Sequence, residues 1–136
     1  MAGYSGTPLL KKIGINDAAR VLLVNPPRNL PGELRSFTDE QSQKDIDVVV
    51  LFAMSQAEFR SEFAKAAKKI QPDGMIWIAW PKKASGIKTD LTEDAIRNFA
   101  LEGIFVDVKV CAIDETWSGL KLVIRKELRP ARAAKA

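Results

Sequence analysis

The chain has 136 residues, of which 46% are apolar and 28% charged, a composition close to the globular average that excludes a disordered, collagenous or coiled-coil protein. The formal net charge of +4 is confined to the C-terminus: the last twelve residues carry five of the 21 basic and one of the 17 acidic groups, and the remaining 16 and 16 cancel. No histidine is present, which removes His-based general base catalysis, Ser–His–Asp and Cys–His nucleophile systems and His-containing metal sites.

The N-terminus MAGYSGTP has neither the basic start nor the apolar stretch of a secretory signal, and no apolar run approaches the roughly 20 residues that span a bilayer. With one cysteine, Cys111, no intrachain disulfide can form, as suits a reducing cytoplasm. A single domain over residues 1–126 is expected, followed by a basic, disordered tail over 127–136. The tail could touch phosphates without sequence preference, but no nucleic-acid motif accompanies it, so nucleic acid is not an expected partner.

In chain order, Thr7 is placed to cap a short helix, with Pro8 at its first position and Gly14 stopping it after Lys11 and Lys12. Arg20–Asn25 reads as a buried strand, and the prolines of Pro26–Gly32 make a loop. Residues 33–44 fit a weak helix around Glu33–Phe37 or a short edge strand equally well. Ile46–Ala53 is almost continuously apolar and β-branched at Ile46, Val48, Val49 and Val50, the signature of a strand covered on both faces. Ser55 with Glu58 has capping-box spacing, and Phe59, Phe63, Ala66, Ala67 and Ile70 form one helical stripe, with Lys65, Lys68 and Lys69 toward its C-terminal end. Gln71–Gly74 predicts a turn into a second buried strand, Met75–Trp80, completing a right-handed βαβ unit. After the loop Pro81–Thr89, Asp90 and Glu93 predict a helix cap. Leu91, Ala95, Ile96, Phe99 and Ala100 then supply a buried face ended by Gly103. Phe105–Ile113 alternates as a half-exposed strand, Asp114–Gly119 is a tight connection, and Leu120–Lys126 must return antiparallel through so short a link.

This order predicts an α/β, Rossmann-like three-layer fold whose sheet is mostly parallel with a C-terminal antiparallel strand. From Asp45 to Lys126, with Arg20–Asn25 as a first strand, it resembles a truncated class I methyltransferase, a fold that also closes with an antiparallel strand. The resemblance implies S-adenosylmethionine, yet the Gly-rich turn of those enzymes is replaced by Asn25-Pro-Pro-Arg-Asn29. Two prolines add bulk and remove N–H donors, so no cofactor is expected. Longer segments, Met1–Pro8, Trp80-Pro-Lys-Lys-Ala-Ser-Gly86 with Thr89-Asp90-Leu91, and Val108–Ala112 running into Asp114-Glu-Thr-Trp-Ser-Gly-Leu-Lys-Leu122, are similar to signatures of a small bacterial family known only as a domain of unknown function. That resemblance implies a bacterial cytoplasmic domain without an established reaction and carries over no catalytic residue.

Ligands of open α/β sheets bind beyond the carboxyl ends of the parallel strands. That rule gathers Lys82, Lys83, Ser85, Thr89, Asp114, Glu115, Thr116, Trp117 and Ser118 at one rim, as a candidate site for a protein partner or a small anionic ligand. Each has a plainer role. Lys82 and Lys83 suit solvated loop charges or partners of Asp114 and Glu115, and Ser85-Gly86 lacks the spacing of a phosphate loop. Asp114 and Glu115 are the minimum for acid–base work or a hard cation, and no further acidic motif supports a metal. Trp77 belongs to the core, Trp80 to core or rim, and Trp117 either packs over its turn or binds. Cys111, with no histidine to activate it, is expected to be inert. The leading reading is thus a non-catalytic binding domain. The alternative is an enzyme of transferase type, methyltransferase-like or metal-assisted through Asp114 and Glu115. The unpaired edge of a half-exposed terminal strand leaves a homo-oligomer open.

Overall fold

A computed structural model of the protein describes residues 8–30, 32–35, 37 and 44–130. Three helices, α1 (Leu9–Ile13), α2 (Gln56–Ala67) and α3 (Glu93–Glu102), accompany five strands: β1 (Val21–Val24), β2 (Ile46–Phe52), β3 (Ile70–Pro81), β4 (Phe105–Ala112) and β5 (Trp117–Ile124). The ambiguous stretch after the proline loop contains a short 3-10 turn, Gly32–Leu34; residues 38–43 lie outside the described residues, as does Thr7, the expected cap of α1. Pro8 itself stands just before α1, and Gly14 ends it in the left-handed conformation (φ 93°), its N–H reaching the Leu10 and Lys11 carbonyls.

The strands form one sheet in the order β1-β2-β3-β5-β4. Its character corrects the expectation of a mostly parallel sheet. The β1/β2 and β2/β3 ladders are parallel, with four and six registered pairs; the β3/β5 and β4/β5 ladders are antiparallel, with seven each. The cause is the place of β5. The reversed strand is inserted between β3 and β4 rather than added outside, so it makes two antiparallel ladders, and the sheet is mixed. β4 itself points the same way as β1, β2 and β3.

Alternate residues of the central strands feed two apolar layers. Leu22, Val49, Leu51, Ile76, Ile78, Leu120 and Leu122 face α2 and α3, where Phe59, Phe63, Phe99 and Phe105 pack as tilted or edge-on pairs at 4.9–6.0 Å between ring centres. Val48, Val50, Phe52, Trp77, Ile113 and Trp117 face α1 and the segment carrying Leu30 and Leu34. The Trp77 indole N–H donates to the Ile13 carbonyl at 2.8 Å, which fixes the C-terminal end of this five-residue helix to the sheet. Both faces are covered, which is why β2 and β3 read as unbroken apolar runs rather than alternations.

The expected turn at Gln71–Gly74 is instead an irregularity within β3. Ile46 pairs with Ile70 and Val48 with Met75, so β3 spends four residues where β2 spends one. Glu127 and Leu128, expected in the tail, belong to a 3-10 turn (Lys126–Leu128), and Arg129 Nε donates to the Ile124 carbonyl at 2.8 Å; residues 131–136 lie outside the described residues. Among the described residues no helix is long and apolar enough to cross a membrane.

Gly74 closes the β3 irregularity. A Cβ there would lie 3.0–3.1 Å from the carbonyl oxygens of Gln71, Ile46 and Asp47, all backbone atoms that cannot step aside. Gly74→Ala should therefore destabilise the fold by about 1–3 kcal/mol, the usual range for overpacking, with a lowered urea midpoint as the readout.

Candidate functional site

The carboxyl ends of β1, β2, β3 and β4 share one edge of the sheet, so the segments after Val24, Phe52, Pro81 and Ala112 meet above it. The closest junction joins the last two. Pro81 pairs with Trp117, and the Lys82 N–H donates to the Thr116 carbonyl at 2.8 Å. The expected convergence of the Lys82 and Trp117 segments is thus a feature of the structure.

A carboxylate builds the β4–β5 turn. Asp114 Oδ1 accepts the N–H groups of Thr116 and Trp117, each at 2.8 Å, and Ile113 donates to the Trp117 carbonyl at 2.9 Å. The turn is shorter than its sequence suggests, because Trp117, Ser118 and Gly119 already belong to β5. Trp117 is only 7% exposed and meets Phe52 edge-on at 5.2 Å, so packing is its principal role. Ser118 is a half-buried strand residue registered between Trp80 and Ala112.

The hydroxyls of the β3–α3 loop are likewise committed to structure. Ser85 Oγ donates to the Lys82 carbonyl at 2.6 Å and accepts from the Ile87 N–H at 3.2 Å, shaping the turn that Gly86 completes at φ 77°. Thr89 Oγ1 donates to the Met54 carbonyl at 2.7 Å and accepts from the Leu91 N–H at 3.0 Å. Asp90 does not cap α3. Thr92 does, accepting from the Ala95 N–H, while Asp90 Oδ1 takes the Gln56 N–H at 2.8 Å and so caps α2 from the neighbouring loop. At that same helix, Ser55 Oγ accepts from Glu58 N–H as the capping box predicts. The Glu58 side chain reaches Met54 N–H at 2.7 Å, one residue before the cap. These partners leave neither hydroxyl, nor the Asp114 Oδ1, as an open ligand contact.

Among the described residues, two grooves stand out at this edge. The smaller, about 560 Å³, is lined by Pro27-Arg28-Asn29 on one segment, Asp114-Glu115-Thr116-Trp117 on another, and Ile87. The larger, about 970 Å³, lies on the helix side between Met54-Ser55, Trp80-Pro81, Lys83 and Gly86–Glu93. Of the candidate residues, Asp114, Glu115, Thr116 and Trp117 line the first and Lys83 and Thr89 the second; Lys82, Ser85 and Ser118 line neither. The candidate site is therefore divided. Lys82 and Lys83 form no ion pair with Asp114 or Glu115 among the described residues.

Arg28 is the site residue that sequence reasoning missed. It is exposed, lines the smaller groove, and has neither an ion pair nor a hydrogen bond among the described residues. Its signal lay in a loop read only as an obstruction: just after β1, Asn25 takes the left-handed conformation (φ 52°), which asparagine tolerates, and two prolines lead from it to Arg28. Among the described residues no three His, Cys, Asp or Glu side chains group as metal ligands. Cys111 is half-buried in the α1 layer; burial pushes its thiol up, against the opposing pull of Lys12 and Lys109.

A family model described as "Protein of unknown function (DUF3052)" matches residues 28–126. The chain belongs to this family. The assignment agrees with the family resemblance in the sequence motifs. The DUF3052 match begins at Arg28 and takes in every residue that lines the smaller groove except Pro27, together with β2 to β5 and the two longer helices. No curated protein matches the chain.

If Asp114 serves the turn, Asp114→Ala should strand two N–H groups and cost about 1–3 kcal/mol, whereas Asp114→Asn keeps an acceptor and should retain most of the stability. Equal losses in urea denaturation of the two variants would contradict this role.

Proposed function

We propose that the protein is a non-catalytic binding domain whose smaller groove takes a small organic anion that also carries hydrogen-bond donors, such as a sugar phosphate or hydroxycarboxylate. The observation that carries this reading is the Arg28 guanidinium, which lines the same groove as Glu115 and has no ion pair or hydrogen bond among the described residues. Arginine suits bidentate recognition of phosphate or carboxylate, Glu115 accepts donors from the same molecule, and Pro27, Ile87 and Trp117 supply apolar contact. Lys82 and Lys83, on the loop next to the Thr116 wall, add positive potential without touching the ligand. A reducing cytoplasm, with a bacterial host, suits a chain whose one cysteine is half-buried and whose motifs resemble a bacterial family.

A second reading, a transferase related to class I methyltransferases, is favoured by one observation: a reversed strand inserted before the last strand of an otherwise codirectional sheet. Its weakness is the turn after β1, where Pro26 and Pro27 have no N–H to offer a nucleoside. A metal-assisted version must use an Asp114 that already holds two backbone donors.

Calorimetry separates the two. Glucose 6-phosphate should bind the wild-type chain, and Arg28→Ala should weaken it by about 10- to 100-fold, the worth of a lost charge-assisted hydrogen bond, with folding unchanged. S-adenosylmethionine and Mg²⁺ should give flat titrations. Heat from S-adenosylmethionine would favour the transferase, and equal binding of glucose 6-phosphate to Arg28→Ala would remove Arg28 from the site.

A further inference from the structure

The sheet has two edges, and they are treated differently. All four residues of β1 are buried, whereas β4 exposes Val108, Lys109 and Val110 in succession, the two valines at 54% and 46%. Five of the six exposed large apolar side chains among the described residues lie on β4 or around its first residues: Val108, Val110, Ile104, Leu101 and Leu128. Arg125 gathers the last group, donating its backbone N–H to the Ile104 carbonyl at 2.9 Å and its guanidinium to the Leu101 carbonyl at 3.0 Å. A clustered apolar margin beside open backbone groups is a template for another strand.

The hydrogen-bond phase shows which groups are open. Ile113 bonds to Trp117, so by the two-residue alternation of an antiparallel ladder Cys111 and Lys109 also turn their backbone groups toward β5, while Val110 and Ala112 turn theirs outward. A bulge at Val108 separates the pairs Asp107–Leu122 and Lys109–Lys121 and sends the two charges to opposite faces. Asp107 is held by Arg97 of α3 at 2.9 Å, and Lys109 reaches the Lys12 carbonyl of α1 at 3.2 Å. Neither charge stands in the path of a strand approaching Val110.

We propose that this edge pairs antiparallel with the β4 edge of a second copy of the chain, about a two-fold axis at Val110. Self-complementarity selects the second copy. The register sets Val110 against Val110 of the second copy and Ala112 against Val108, leaving no like charges opposed at the centre, whereas an axis at Asp107 would oppose two carboxylates. It also carries the Asp114–Glu115 end of each copy toward the Ile104 end of the other, where Arg125 and Lys126 stand, and the symmetry supplies this charge match twice.

Sedimentation of the full chain at micromolar concentrations should show a reversible dimer. Val110→Lys, which sets two cations face to face on the axis, should raise its dissociation constant about tenfold or more while leaving the circular dichroism of the folded chain unchanged. In a Cys111→Ser background, Val110→Cys should link rapidly into a covalent dimer, because a hydrogen-bonded antiparallel pair has Cα atoms about 5.5 Å apart, within disulfide reach. Val108→Cys, displaced from the axis, should link far more slowly. A wild-type chain that stays monomeric, a dimer indifferent to Val110→Lys, or faster linking through Val108→Cys would each overturn the proposal.

Discussion

The insertion of β5 between β3 and β4 is the constraint from which the rest of the molecule follows, and the Asp114 carboxylate supports it by accepting backbone donors of the turn. A turn that brings β4 back immediately as β5 has to satisfy backbone donors within a few residues; Asp114 takes two of them at 2.8 Å. β5 can then zip along β3 from Pro81–Trp117 to Met75–Val123, and the Lys82–Thr116 hydrogen bond ties the two loops at the carboxyl edge. The same insertion pushes β4 outward to become the open margin of the sheet. One turn thus defines a wall of the smaller groove and also decides which strand is left without a neighbour.

The elements were largely legible because their signals are local. Short, nearly continuous apolar runs marked β1, β2 and the second half of β3, and the Ser55–Glu58 spacing marked the start of α2, where Ser55 does cap. The ladder types were not legible in the same way. The hydrogen-bonding neighbour of β5 is a matter of non-local pairing, and a strand bonded to β4 alone has the same alternation as one lodged between β4 and β3. Asp90 illustrates the same limit on a smaller scale: its spacing to Glu93 is that of a cap, but the donor it satisfies is Gln56, 34 residues away. Gln71–Gly74 carries turn residues that the structure uses to bulge a strand, a choice made by the partner strand β2.

The site was legible as an edge but not as a list of contacts. Strand direction placed the right loops together. Composition could not distinguish a hydroxyl that is free from one already bonded, and here Ser85 and Thr89 each donate to a carbonyl and accept from an amide. A carboxylate or hydroxyl with a short-range backbone donor is claimed first by its own loop, since an unpaired backbone N–H near the interior costs more than a solvated side chain gains elsewhere. Long cationic side chains escape that competition, having no acceptor role to offer the loop. Arg28 is left over for this reason.

The groove and the open edge share a residue. Glu115 lines the same groove as Arg28, and it follows the end of β4 that an antiparallel second copy would bring near Arg125 and Lys126. A ligand donor that engages Glu115 takes a carboxylate away from the intersubunit charge match, and a second copy that engages Glu115 takes it away from the ligand. Any free energy connecting the two events must act equally in both directions. Because Glu115 is exposed, that coupling is screened by salt and small compared with the backbone pairing at Val110 or the Arg28 contact, each of which stands on its own groups. The two surfaces are therefore separable by mutation: Arg28 belongs to the groove alone and Val110 to the edge alone.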